Sequence, residues 1–161
     1  MSVNRHRPHI IVIPEDDADR DLVTGFTQAI DNFRQLYATE VAGGWRNVLA
    51  VFEKDHIGEM TRCPDRLVVL LIDFDGEGDR RDEATRIIPE HLTDRVFVLG
   101  PWTNPEALKR AHPGSTLETI GKALARDCRD GTDTAWDHEL LRHNNTELDR
   151  LRERARAILF N

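Results

Sequence analysis

The fold is indicated by residues 67–78, LVVLLIDFDGEG. The first six form an uninterrupted apolar run, which is typical of a strand buried on both faces of a parallel sheet. The run ends at Asp73, and Gly76 and Gly78 mark the loop that follows. This stretch therefore predicts the central strand of an α/β sheet, with acidic side chains at its carboxyl end.

Shorter apolar runs lie on either side of this strand in the chain. Residues 10–13 and 96–99 have the composition of buried strands, and residues 36–41 form a weaker one. Amphipathic helical patterns separate these runs, and residues 55–65 are expected to form a loop. Alternating strands and helices imply right-handed crossovers. We therefore expect a three-layer, Rossmann-like α/β sandwich with a mainly parallel sheet of about four strands.

The C-terminal part has a helical pattern throughout. Apolar side chains recur at helical spacing at Leu117, Ile120 and Leu124, and again within residues 148–159. We expect an α/β domain over residues 1–112 and a helical C-terminal extension over residues 113–161, packed on the same domain.

Composition narrows the functional classes. Hydrophobic residues make up 39% of the chain and charged residues 32%, and no apolar run reaches the roughly 20 residues that span a bilayer. We therefore expect a cytoplasmic protein with no membrane contact. Cys63 and Cys128 lack the spacing of a zinc site, so reduced thiols are expected. The formal charge of −7 argues against a broad basic surface for nucleic acid, yet it is compatible with a nuclease whose carboxylates hold cations.

Acidic residues follow three of the predicted strands. Glu15 and Asp19 follow the first, Asp73 and Asp75 follow the central one, and Glu106 follows the last. Ligands of open parallel sheets bind outside the carboxyl ends of the strands. Side chains two residues apart on an extended chain point the same way, so Asp73 and Asp75 are expected to share one site. Close carboxylates need a neutralising cation, and oxygen ligands favour magnesium or manganese over zinc.

Glu15, Asp73 and Asp75 are therefore the predicted core of a metal site. Other acids near the strand ends are expected to cap helices or to be solvated, because acidic residues favour helix N-termini. These are Asp16, Asp17, Asp79 and Asp82.

Two segments resemble the motifs of the Toprim family. Residues 11–19, IVIPEDDAD, are similar to its first motif, a strand ending in Glu with a second acid four residues later. Residues 71–78, LIDFDGEG, are similar to its second, an Asp-x-Asp followed by glycine. Toprim domains occur in topoisomerases, primases and OLD-type (overcoming lysogenization defect) nucleases. The resemblance covers roughly residues 9–110 and departs from the family at Asp16, where a glycine is usual.

The resemblance implies metal-dependent chemistry on a phosphodiester bond of nucleic acid, with DNA as the first expectation. Glu15, Asp73 and Asp75 are then catalytic groups and core ligands of magnesium or manganese. Asp19 and Glu106 are candidate ligands of a second metal ion. Two such ions could activate water and stabilise the leaving oxygen during hydrolysis.

Several further expectations depend on the same resemblance. Lys109, one helical turn after Glu106, is a candidate to offset phosphate charge and equally fits a solvent-exposed helix lysine. OLD-type nucleases commonly work with an ATPase, and this chain has no GxxxxGK[ST] loop, so a separate ATPase partner is expected on the C-terminal helices, with anti-phage defence as a role. His143 could act as a base or flank a helix, and the Arg-rich residues 150–156 could bind phosphate or form surface pairs. The oligomeric state stays open.

Two other functional classes fit part of the pattern. Residues 13–17, IPEDD, are also similar to the acidic pair of response-regulator receiver domains, with Asp73 as the phosphoacceptor. Against this, no Ser or Thr directly follows residues 96–99, and no later strand delivers a Lys-Pro pair. A non-catalytic subunit that keeps the acids and binds only a partner is the third alternative.

Overall fold

The computed structural model describes residues 3–161. Four parallel strands form one sheet in the order β2-β1-β3-β4. Their bounds are β1 His9–Pro14, β2 Leu36–Ala38, β3 Arg66–Leu71 and β4 Val96–Leu99. Helices cover both faces, so the predicted three-layer α/β architecture with a parallel sheet of four strands and a helical C-terminal part is confirmed.

Seven α-helices connect and follow the strands. They are α1 Asp17–Gln28, α2 Trp45–Val51, α3 Ile57–Arg62, α4 Asp79–Arg86, α5 Pro105–Arg110, α6 Leu117–Asp130 and α7 Asn145–Leu159. Short 3-10 turns add Phe33–Gln35, Glu90–Arg95 and Arg142–Asn144.

The loop predicted at residues 55–65 is wrong for most of its length. A π-turn at Phe52–His56 joins α2 to α3, so helical structure continues to Arg62. A π-turn inserts an extra residue into a helix and shifts the apolar side chains out of the 3.6-residue period. Phe52 and Met60 are fully buried on this helix.

The sheet separates two apolar cores, and β3 serves both. Leu67 and Val69 pack toward α1, α6 and α7, whereas Val68 and Leu70 pack toward α2, α3 and α4. Because alternate side chains of a strand point to opposite faces, a strand covered on both sides must be apolar at every position. This explains the uninterrupted run that first indicated the fold.

Two glycines let α1 and α6 cross at backbone contact. A Cβ at Gly121 would lie 2.1 Å from the Leu22 carbonyl oxygen, and a Cβ at Gly25 would lie 1.9 Å from that of Glu118. α7 packs against β4, so both helices of the C-terminal part contact the α/β layers. The crossing fixes where α1 lies above the sheet.

A buried asparagine holds the end of β4. The Asn144 side-chain amide donates to the Gly100 carbonyl oxygen at 3.0 Å, and its Oδ1 accepts the Gly100 N–H at 3.2 Å. Gly100 has a φ of 156°, and a Cβ there would lie 1.7 Å from the Ile72 carbonyl oxygen. The C-terminal segment thus fixes the loop beside the end of β3.

Within residues 3–161, none of the helices combines the length and the apolar character that crossing a membrane requires.

Gly121→Ala should destabilise the protein, because the new methyl group meets backbone rather than a flexible side chain. We expect the free energy of unfolding to fall by about 1 to 3 kcal/mol. Gly58→Ala is the matched control, since it lies exposed on α3 with nothing within 4 Å of the added Cβ. It should be neutral or stabilising by up to about 1 kcal/mol. Equal urea midpoints for the two variants would contradict the close crossing.

Candidate metal centre

Three carboxylates from three different elements meet at the carboxyl edge of the sheet. Glu15 follows β1, Asp19 lies in the first turn of α1, and Asp73 lies two residues after β3. One carboxylate oxygen from each lies within 4.8 Å of the other two. We call these residues the acid triad.

The pairing of β1 with β3 positions Glu15. Pro14 is the register partner of Leu71, and the Glu15 N–H donates to the Leu71 carbonyl oxygen at 3.0 Å. The Glu15 Oε2 then accepts the backbone N–H of Asp73 at 2.5 Å. Burial raises the pKa of the Glu15 carboxyl, and this N–H opposes the rise by stabilising the charged form.

The start of α1 positions Asp19. Asp16 is the N-cap of this helix, as predicted, and its Oδ1 accepts the Asp19 N–H at 3.1 Å. The Asp19 side chain then points inward and is 0% exposed. Neither of its carboxylate oxygens has a hydrogen-bond partner among residues 3–161. Burial, reinforced by the charge of Asp73, raises the pKa of Asp19 far above its ordinary value.

Asp73 faces Asp19 across the centre. It is 8% exposed, and its Oδ1 also lacks a partner in the described part of the chain. Burial raises the pKa of Asp73 to about 7, and the charges of Glu15, Asp16 and Glu106 add to the rise, while the nearby Asp19 carboxyl opposes it. Asp19 and Asp73 therefore cannot both be charged here at low cost. Either the two carboxylates share a proton, or a cation lies between them.

The donor set of the acid triad fits a hard divalent cation. All three groups offer carboxylate oxygens, the ligands that magnesium and manganese prefer. An ion held by Glu15, Asp19 and Asp73 would satisfy the unpartnered oxygens and offset the mutual repulsion. Asp19, expected only as a ligand of a second ion, is here part of the central group.

Asp75 lies apart from the acid triad. Its side chain is 70% exposed and forms an ion pair with Arg80 at 3.6 Å. The expectation that Asp73 and Asp75 share one site assumed an extended chain, yet Asp75 has a φ of 50° and Gly76 one of 72°. This left-handed turn ends the alternation and directs the two side chains apart.

The remaining predicted site residues lie on α5. Glu106 and Lys109 are both exposed there. Glu106 is near enough for its charge to raise the pKa of Asp73, whereas Lys109 makes no ion pair within residues 3–161. Glu106 thus lies at the periphery, and the proximity of Lys109 to the acids stays a prediction.

Arg80 is the site residue that sequence reasoning missed. Its Nη1 donates to the Asp73 carbonyl oxygen at 2.7 Å, and its charge lowers the pKa of Glu15. The side chain is only 15% exposed. The only signal in the sequence was that Arg80 lies in the first turn of the helix after the acidic loop. Arg81 lies in the same turn but donates instead to the Val98 carbonyl oxygen, so this signal does not single out Arg80.

His143 supports a neighbouring loop and lies outside the acid triad. Its Nε2 lies 2.7 Å from the Gly100 carbonyl oxygen, and its ring packs edge-on against Phe74 and Trp102. Burial lowers the pKa of His143 to about 4, so the ring is neutral at physiological pH.

Three of the four arginines of α7 form ion pairs. Arg150 pairs with Glu147 at 2.7 Å, and Arg152 pairs with Asp133 at 2.8 Å. Arg154 lies 3.6 Å from Asp94. This agrees with the surface-pair interpretation of the Arg-rich segment and leaves phosphate binding without support there.

Comparison with known proteins adds no family, because none of the family models, curated proteins or solved structures compared with this chain matches it.

Asp19→Asn tests whether this buried acid is retained for a ligand. The amide introduced there can donate to Asp73 and carries no charge, so the metal-free protein should gain about 1 to 3 kcal/mol of stability at neutral pH. Affinity for manganese, measured by calorimetry, should fall by at least about tenfold. Asp17→Asn, an exposed position in the same turn, is the matched control and should change neither quantity. Unchanged manganese affinity in Asp19→Asn would exclude this residue as a ligand.

The stability of the metal-free protein should fall as pH rises. The unfolded chain releases the Asp73 proton near the ordinary pKa of 3.8, whereas the folded protein keeps it until about pH 7. The free energy of unfolding should therefore decline across this window, by at most about 1.4 kcal/mol per pH unit for one group. Saturating magnesium should remove the decline, and Asp73→Asn should make it shallower, because the raised pKa values of Asp19 and Glu15 still contribute. Urea titrations across this window check both, and a metal-free stability that rises with pH would contradict the raised pKa.

Proposed function

We propose that this protein is a magnesium- or manganese-dependent phosphodiesterase that cleaves nucleic acid, of the Toprim-like kind that its sequence motifs resemble. The observation that carries the proposal is the acid triad, in which two buried carboxylates, Asp19 and Asp73, face each other with unpartnered oxygens. Unpaired buried acids are costly, and perturbed acids cluster at functional sites.

The chain's own residues supply binding and orientation. Glu15, Asp19 and Asp73 would hold the ion, and the backbone N–H of Asp73 fixes the Glu15 carboxylate. A divalent ion bound there supplies charge neutralisation for the phosphate and lowers the pKa of a bound water. Arg80 is held by the Asp73 carbonyl oxygen and by ion pairs with the exposed carboxylates of Asp75 and Glu77, and its guanidinium would offset charge on a phosphate bound beside the ion.

The wider functional setting belongs to the same proposal. DNA is the proposed substrate, which places the protein in the cytoplasm with the nucleic acid it cuts. A separate ATPase, docked on α6 and α7, would control the activity, and anti-phage defence is the corresponding role.

Metal-dependent cleavage of plasmid DNA tests the proposal. We expect nicking in manganese or magnesium that a chelator abolishes and that Asp73→Asn and Glu15→Gln reduce below detection. Arg80→Gln should lower the rate by about a hundredfold, the effect of removing one charge-stabilising donor. Asp75→Asn, which removes an exposed ion pair, should stay within about fivefold of the parent.

Other outcomes would assign a different class. Covalent phosphate on Asp73 after incubation with a small phosphodonor would replace the nuclease with a receiver-like signalling domain. A protein that binds no divalent ion would favour a non-catalytic subunit. A protein that is inactive by itself but cleaves DNA together with a neighbouring ATPase would support the proposed ATPase partner.

A further inference from the structure

A tryptophan lies beside the acid triad. Trp45 is the first residue of α2 and directly follows Gly43 and Gly44, whose N–H groups point to the Glu15 carbonyl oxygen at 2.8 and 3.4 Å. The backbone N–H of Trp45 is close enough to the Glu15 carboxylate to lower its pKa. Its indole ring is partly buried against the core beneath α2. Trp45 is thus joined through its backbone N–H to the carboxylate that would hold the metal ion.

Two guanidinium groups lie over this ring. The Arg80 guanidinium is 4.9 Å from the ring centre, and that of Arg46 is 5.0 Å from it. The two arginines differ in how they are held. Arg80 is fixed by the Asp73 carbonyl oxygen, whereas the Arg46 side chain is 76% exposed and makes only a 4.0 Å ion pair with Glu83.

The exposed arginine, Arg46, matters for what the ring can bind. The Arg46 side chain is 76% exposed, and Trp45 itself is only partly buried. A planar group can therefore take the place of the Arg46 guanidinium on Trp45 at little cost, since exposed pairs of this kind contribute weakly. Nucleobases are planar groups that stack on aromatic side chains, and arginines beside such rings bind the adjoining phosphates.

We propose that Trp45, Arg46 and Arg80 form a nucleotide subsite next to the acid triad. The base stacks on Trp45 in place of the Arg46 guanidinium, and the phosphates on either side contact Arg46 and Arg80. The proposal rests on the proposed nuclease function and names its substrate class, a nucleic acid with an unpaired base at the cleavage site. A paired base in a duplex is already stacked on both faces, so a tryptophan at the cleavage site selects an unpaired one.

The charge distribution agrees with this substrate. The chain carries a formal charge of −7, so binding through a broad basic surface is disfavoured. The metal ion would instead supply positive charge at one point, and Arg46 and Arg80, each paired with an exposed carboxylate, would supply donors for phosphate oxygens beside it. A subsite for one or two nucleotides needs no more than this.

Oligonucleotide binding tests the subsite without relying on cleavage. Fluorescence anisotropy would compare a labelled single-stranded decamer with its blunt duplex, in calcium and in chelator. Trp45→Leu should weaken binding of the single strand by about tenfold, or about 1.4 kcal/mol, and leave the weaker duplex binding unchanged, since only the single strand loses a base stack. Trp45→Phe should have a smaller effect. Arg46→Gln should reduce the slope of log affinity against log salt by about 0.7.

A matched pair elsewhere in the chain provides the control. Arg34 lies over the exposed Phe33 ring at 5.8 Å, on the turn that precedes β2 and therefore at the opposite end of the strands from the acid triad. Phe33→Leu and Arg34→Gln should leave single-strand binding and its salt dependence unchanged. Circular dichroism and thermal melts would verify that each variant folds. If Trp45→Leu does not fold, the Trp45→Phe and Arg46→Gln variants provide the test.

The outcomes separate the subsite from the nuclease. Metal-dependent cleavage with equal single-strand affinity in the parent, Trp45→Leu and Trp45→Phe proteins would overturn the subsite and leave the nuclease intact. Trp45-dependent binding of the single strand with no cleavage, either by the protein itself or with an added ATPase, would support the subsite and overturn the nuclease. Equal loss of affinity in the Phe33→Leu control would overturn the subsite as well, because the effect would not depend on place.

Discussion

The carboxylates of Asp19 and Asp73 face each other below the protein surface, and the rest of the site depends on how their charge is compensated. The Asp19 oxygens have no hydrogen-bond donor among the described residues, and the peptide N–H beside the pair, that of Asp73, binds Glu15 instead. A shared proton or a divalent cation can compensate the pair. A structure that only stabilised its own fold would gain nothing from this arrangement, because apolar residues of similar size would avoid the desolvation cost.

The surrounding fold holds the acids in place from several directions. Pairing of β1 with β3 sets Glu15 beside Asp73, and the backbone contact between α1 and α6 at Gly25 and Gly121 sets the height of Asp19 above the sheet. The Asn144 amide fixes Gly100, next to the chain that follows β3. A site that must hold three like charges together needs such rigid support, and it comes here from the C-terminal helices as well as from the sheet.

The sequence predicted the sheet and most of the site because the relevant signals are local. An all-apolar run must be a strand covered on both faces, and parallel strands bring their carboxyl ends to one edge. The prediction that Asp75 shares a site with Asp73 assumed an extended chain. A left-handed turn at Asp75 ends the alternation of side chains on which that prediction depended. The sequence did not predict Arg80 and Trp45 beside the acid triad. Their position there depends on how α2 and α4 pack, which hydrophobic periodicity does not reveal. The π-turn at Phe52–His56 interrupts the regular helical period between α2 and α3, so the sequence pattern did not predict α3.

Anomalous diffraction from a crystal of the protein grown or soaked with manganese tests the central claim most directly. We expect a single strong manganese peak in contact with carboxylate oxygens of Glu15, Asp19 and Asp73, lost in crystals of the Asp19→Asn protein. A centre without manganese at a concentration that loads other carboxylate sites, or a peak held by Asp75 or Glu106 without Asp19, would contradict it.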